Sequence, residues 1–194
     1  GNTASAGLTV IGAPTISLLS PASGRAYAFG AAVRASYACA DDPSGPGIAS
    51  CHGSVPSGSL IGTSKAGDFV FTVTAESRDA GVSSDTVFYS VAPDNRFTVA
   101  RIKPGAEGSV RFEVKVPGAG RISVVEKARH GGKFVVARAG ATAARATTIR
   151  VLVKPGRRGR TALTAGHALA VTLEVTYTPN AGSGRTASFR VTLA

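Results

Sequence analysis

Val110-Arg111-Phe112-Glu113-Val114-Lys115-Val116 is the stretch that decides the fold. Four apolar residues share one parity and three charged residues share the other. Successive side chains of an extended strand point to opposite faces, so one face of this segment enters a core and the other meets water. The same period runs through both flanks. Ile122 and Val124 follow it, then Phe134 and Val136. Ile149, Val151 and Val153 alternate with Arg150 and Lys154. Leu169, Val171, Leu173, Val175 and Tyr177 alternate with Thr172, Glu174 and Thr176, and Phe189, Val191 and Leu193 with Ser188, Arg190 and Thr192. Phe97-Thr98-Val99 supplies a first strand.

Upstream the pattern is shorter but alike. Ile16 and Leu18 alternate before the turn Pro21-Ala22-Ser23-Gly24. Val33, Ala35, Tyr37 and Cys39 share a parity, as do Phe69, Phe71, Val73 and Ala75, and then Val87, Tyr89 and Val91. Turn clusters separate the runs, which predicts antiparallel strands; no window carries a helical period. About seven strands in residues 96–194 match an immunoglobulin-like (Ig-like) sandwich. The expected class is therefore all-β, two tandem Ig-like antiparallel sandwiches. Residues 1–13 read as a flexible lead-in, 14–92 as the first domain, 93–95 (Pro93-Asp94-Asn95) as a linker and 96–194 as the second domain. A chain of 194 residues accommodates two such domains of about 80–100 residues.

Both cysteines fall in Tyr37-Ala38-Cys39-Ala40-Asp41-Asp42-Pro43-Ser44-Gly45-Pro46-Gly47-Ile48-Ala49-Ser50-Cys51. The spacing is too wide for a redox CxxC, and no further Cys or His stands at zinc spacing. A disulfide or two free thiols remain. The disulfide is the expected state, closing a small loop and contributing about 3 kcal/mol in an oxidising compartment. No apolar run approaches the roughly 18–20 residues of a membrane span. The start lacks an initiator Met and a signal-like region, so a mature product or an excised piece is expected.

The run Pro14-Thr15-Ile16-Ser17-Leu18-Leu19-Ser20-Pro21, the cysteine segment, Val55-Pro56-Ser57-Gly58 and Gly67-Asp68-Phe69-Val70-Phe71-Thr72-Val73-Thr74-Ala75 resemble bacterial Ig-like (HYR-like) repeat modules of secreted actinobacterial surface proteins. The resemblance covers residues 14–92. Phe134 to Ala139 and Val175 to Pro179 are similar to a module found beside it. The resemblance implies a stalk, repeat or adhesion unit without catalysis of its own, secreted or at the cell surface.

Sites of chemistry are sparse. No Gly-x-Ser-x-Gly elbow occurs, and His52, His130 and His167 are scattered, so no triad is expected. Gly131-Gly132-Lys133-Phe134 fails the Walker spacing, with Lys127 where a glycine is required. Asp41, Asp42, Asp68, Asp79 and Asp85 fit no calcium loop and read as turn and rim residues. Glu113 and Glu174 lie on outward faces rather than paired in a cleft. No cofactor or metal is expected.

Charge is the strongest signal. The net charge is +11, yet residues 1–95 carry four basic side chains against seven acidic ones, and residues 96–194 carry eighteen against four. Lys154, Arg157, Arg158 and Arg160 crowd a seven-residue loop. Arg111, Lys115, Arg121, Lys127, Arg129, Lys133, Arg138, Arg145, Arg150 and Arg190 spread over strands and edges. Such a surface concentrates polyanions, with Lys154, Arg157, Arg158 and Arg160 as candidate contacts to an anionic cell-wall polysaccharide; another surface protein is the other expected partner. Without a recognition helix or stacking aromatics, nucleic acid is not the expected partner. The bland alternative is that these cations solubilise strand faces and guard edges. A rival function is a carbohydrate-binding accessory module of a larger secreted enzyme, which would show exposed Phe88 or Tyr27 as a flat platform.

Overall fold

The computed structural model describes residues 12–127 and 135–194. Leu8 to Ile11, Arg129, His130 and Gly131-Gly132-Lys133-Phe134 lie outside the described residues. The chain divides into two compact units, Gly1–Ala92 and Pro93–Ala194.

In the first unit, β1 (Thr15–Ser20) pairs antiparallel with β3 (Ser36–Ala40). A second sheet runs in the order β2 (Arg25–Tyr27), β6 (Val82–Val91), β5 (Gly67–Ser77), β4 (Ile48–Gly53). The two sheets face each other over Ala35, Ile61, Phe71, Val73, Val87, Tyr89 and Val91, with Ile16, Leu18, Tyr37 and Cys39 packed against them. The expected parity of β5 and β6 holds, because Phe71, Val73 and Ala75 are buried, as are Val87, Tyr89 and Val91.

One pairing departs from the antiparallel expectation: β2 runs parallel to β6, with Arg25 opposite Tyr89 and Tyr27 opposite Val91. The turn Pro21-Ala22-Ser23-Gly24 does not close a hairpin. It carries the chain from one sheet to the other, aided by Gly24 at φ +70°, a backbone that side chains resist. Gly24 N donates to Phe88 O (2.7 Å) and Ala92 N to Tyr27 O (2.9 Å), which sets the parallel register.

In the second unit, β7 (Thr98–Pro104), β8 (Val110–Val116) and β11 (Thr147–Val153) form one sheet in the order β11-β8-β7. The other has the order β10-β9-β12-β13, from β9 (Gly120–Glu126), β10 (Ala139–Ala143), β12 (Leu169–Pro179) and β13 (Arg185–Leu193). Val110, Phe112, Val114 and Val116 are all buried, so the opening heptapeptide is the strand its alternation predicts. They meet Ile122, Val124, Val171, Leu173, Val175 and Tyr177 from the facing sheet. Pro93–Asn95, expected as a linker, is held by this unit. Asn95 Nδ2 donates to Ser183 O at 3.2 Å, and Arg96 Nε pairs with Asp94 at 2.8 Å.

Two expectations for this unit need correction. Val136 belongs to no strand; it makes an isolated bridge with Pro155, and Ala139–Ala143 takes the fourth strand's place. Ala139-Gly140-Ala141-Thr142-Ala143 has small residues on both faces, so alternation cannot show it, and pairing with β9 defines it. Val135 and Val136 are instead pinned by the buried Glu126, whose Oε2 accepts from both backbone N–H groups at 2.8 and 3.0 Å.

The second correction is α1 (Arg157–Thr164), an α-helix where the sequence reads as loop. Its polar sequence offers no apolar stripe beyond the half-buried Ala162 and Leu163, so periodicity is silent. It ends on Gly166 at φ +79°, with Gly166 N bonded to Leu163 O and His167 N to Ala162 O, the double bond of a Schellman stop. At its start Gly156 N donates to Val135 O at 2.8 Å. A Cβ at Gly159 would strike that same carbonyl oxygen, so the helix lies too close for a side chain there. Gly→Ala in a helix ordinarily gains about 1 kcal/mol. Gly159→Ala is expected instead to lower the thermal midpoint; a rise would show that the helix does not rest on Val135.

Candidate functional site

In the first unit the chemistry-bearing residues build structure. Cys39 Sγ and Cys51 Sγ are bonded, with Cα atoms 5.9 Å apart, joining β3 of one sheet to β4 of the other. Tyr37, two residues ahead of Cys39, reinforces the joint. Its hydroxyl donates to Val55 O (3.1 Å) and accepts from Gly53 N (2.8 Å). The ring lies so close that a Cβ on Gly53 would sit 2.7 Å from Cε1. Inside the loop, Asp41 Oδ2 accepts from Gly47 N (2.7 Å) and Asp42 Oδ1 from Ser44 N (2.8 Å), turn roles for both carboxylates. Asp79 accepts from the Ser77 hydroxyl, which holds its carboxyl below the usual carboxylate range. Among the described residues no three His, Cys, Asp or Glu side chains converge as metal ligands. His52, on β4 opposite Thr74, and His167, after α1, are both exposed.

The sugar-platform residues separate. Phe88 is 63% exposed on the outer face of β6, directly opposite Val70, which is 54% exposed. Tyr27 does not join it: the ring packs edge-on against Tyr89 at 5.8 Å, and its hydroxyl accepts from Ala22 N. The outward face therefore carries one aromatic ring rather than a pair.

In the second unit Lys154, Arg157, Arg158 and Arg160 are all exposed, but they are not four equivalent loop cations. Lys154 O accepts from Ala137 N, anchoring the approach to the helix. Arg157, Arg158 and Arg160 occupy the first turn of α1, where exposed backbone N–H groups make the positive end of the dipole. No acidic residue offsets them there. Arg160 folds back, with Nη1 donating to Pro155 O at 2.9 Å. Arg157 and Arg158 are thus the outward cations of this turn, and Arg160 also serves the backbone.

The outer face of the β11-β8-β7 sheet gathers cations that the sequence shows only as scattered positions. Register places Arg150 and Ala100 on either side of Glu113, Leu152 and Lys103 on either side of Arg111, and Thr148 and Thr98 on either side of Lys115. A bulge between Ala100 and Lys103 carries Arg101 at φ +53°, in the left-handed region. Its Nη1 reaches Glu113 Oε1 at 3.4 Å, and Arg150 Nε approaches the same oxygen at 3.5 Å. Outward parity was legible for Arg111, Lys115 and Arg150; the bulge that adds Arg101 and Lys103 was not.

No family model matches the chain, and no curated protein matches it. Solved structures are similar in part. The protocadherin gamma B7 extracellular cadherin domains 1–4 align over 93% of this chain and 49% of theirs, at 13% identity and a TM-score of 0.39. The protocadherin gammaB4 extracellular domain aligns over 93% and 31%, at 12% identity and 0.37. The chain thus spans half or less of the length of these structures, and the sandwich assignment rests on its own sheets and cores. Among the described residues no helix is long and apolar enough to cross a membrane.

Proposed function

We propose that the chain is a non-catalytic extracellular module of the bacterial Ig-like (HYR-like) kind, a structural spacer or adhesion segment of a secreted or cell-surface protein. In this reading its second unit touches anionic envelope polymers. The observation that carries the proposal is the Cys39–Cys51 bond between the sheets. Cys51 is exposed, and a bond so placed persists in an oxidising compartment and is reduced in a cytosol. The remaining chemistry of the first unit is consumed in turns and strand joints, as a scaffold requires. Supporting the polymer contact, Arg157 and Arg158 project from the positive end of a helix, an electrostatic tension that a bound polyanion relieves.

Two measurements test it. Protease added to intact cells of the source bacterium is expected to remove the chain, or the chain is expected in the medium; a protected, cytosolic chain with free thiols would end the proposal. Pull-down on purified cell wall is expected to fall at high salt and to weaken in Arg157→Ser/Arg158→Ser/Arg160→Ser. Phe88 favours the second reading, an accessory carbohydrate-binding module. That reading predicts salt-insensitive retention on neutral glycans that Phe88→Ala abolishes.

A further inference from the structure

We infer that the outer face of the β11-β8-β7 sheet, rather than the start of α1, is the main binding surface for an anionic glycan, one bearing repeated phosphate or sulfate groups. The inference rests on the polymer contact proposed above and names its site and ligand chemistry. Arg101, Lys103, Arg111 and Arg150 line, with Glu113 and Leu152, a groove of about 450 Å³, and Lys115 follows two residues along β8 on the same face. Side-chain exposures are 89% for Arg150 and 73% for Arg101, against 20% for Glu113. One carboxylate oxygen shared by two guanidiniums orients both and neutralises neither fully, leaving donors free for an oxyanion.

Solubility does not account for this face, because the other sheet of the same unit answers the same need differently. There Thr172, Thr176, Thr178, Thr186, Ser188 and Thr192 make the outer surface. Arg121, Val125, Ala170 and Arg190 interrupt them, with Glu174 paired to Lys127 at 3.6 Å. Two sheets of one sandwich meet the same water, yet hydroxyls predominate on one and cations on the other. Arg101 sharpens the contrast, since a non-glycine residue at φ +53° is held against its preference to place a guanidinium beside Glu113. The ligand is a glycan rather than a nucleic acid because the outward residues of these strands include no ring on which a base stacks.

The test uses the whole chain in four forms: wild type, Lys103→Ser/Arg111→Ser/Arg150→Ser, Arg157→Ser/Arg158→Ser/Arg160→Ser, and Glu113→Gln. Each is titrated with a sulfated glycan, a glycerol-phosphate polymer and single-stranded DNA at two salt concentrations, with melting curves alongside. About fivefold is expected for each cation removed from the groove, so the strand variant weakens on the order of a hundredfold, while the helix variant, whose three cations lie outside it, weakens less. Glu113→Gln, which removes the face's one negative charge, is expected to tighten binding about fivefold, a gain that misfolding does not produce. Comparison of the sulfated and phosphate polymers tells which oxyanion the groove takes. A strand variant that binds like wild type while the helix variant fails overturns this inference and leaves the polymer contact standing. Wild type that binds neither glycan overturns both, and the extracellular reading is then judged by protease access alone. Tighter binding to DNA than to either glycan overturns the ligand assignment.

Discussion

Replacing Tyr177 by alanine is expected to cost the second unit about 3–5 kcal/mol, the range for deleting a large buried ring. Tyr177 is fully buried in β12, and its ring meets Phe97 edge-on at 6.3 Å. Its hydroxyl donates to the carbonyls of Gly118 and Ala119, at 2.9 and 3.2 Å, in the turn between β8 and β9. One side chain thus fills the core and fixes the turn that links the two sheets. Tyr177→Phe keeps the ring and deletes the donor, for a loss of about 1–2 kcal/mol. Urea unfolding of the full chain separates the two: if both variants lose the same amount, the ring is not what matters. The same residue gives a pH dependence. Burial, with the charge of Asp94 adding to it, lifts the Tyr177 hydroxyl above the usual phenol value; burial also lifts Tyr89. The folded chain then keeps protons that the unfolded chain releases near pH ~10. This stability is fully present below that pH and is lost as pH rises through the folded values. Melting points on an alkaline series should fall, and less steeply in Tyr177→Phe.

Removing the disulfide is expected to destabilise the first unit by about 3 kcal/mol, in Cys39→Ala/Cys51→Ala or under reductant. A domain's whole stability is about 5–15 kcal/mol, so a core built on Ala35, Ile61, Phe71, Val73, Val87, Tyr89 and Val91 feels such a loss strongly. The second unit has no cysteine among its residues and the larger core. Calorimetry should therefore show one transition that moves with reductant and one that does not. A single transition moving as a whole would overturn this expectation.

The sequence disclosed what depends on alternation and left hidden what depends on packing. Val110 to Val116 and Leu169 to Tyr177 read correctly because a two-residue period with charged outer faces has one interpretation. The strand Ala139–Ala143 escaped because alanine and glycine carry no sidedness, and β2 because three residues cannot show a period. The helix α1 left one usable trace, Gly166 after a run free of proline, but its arginines look like loop charge in the absence of an apolar stripe. For the candidate site, outward arginines could be counted from parity. Their gathering on one sheet depends on the β8 registers and on the Arg101 bulge, and both are tertiary facts.

The joint between Cys39 and Cys51 also governs how far the first unit can stretch. If the unit is pulled open along its chain, the residues between the two sulfurs stay locked behind a 5.9 Å crossing. Twelve residue steps that would extend to roughly 40 Å are withheld from the load. Oxidised, the unit reaches its full length without those steps; reduced, it lengthens further before it breaks.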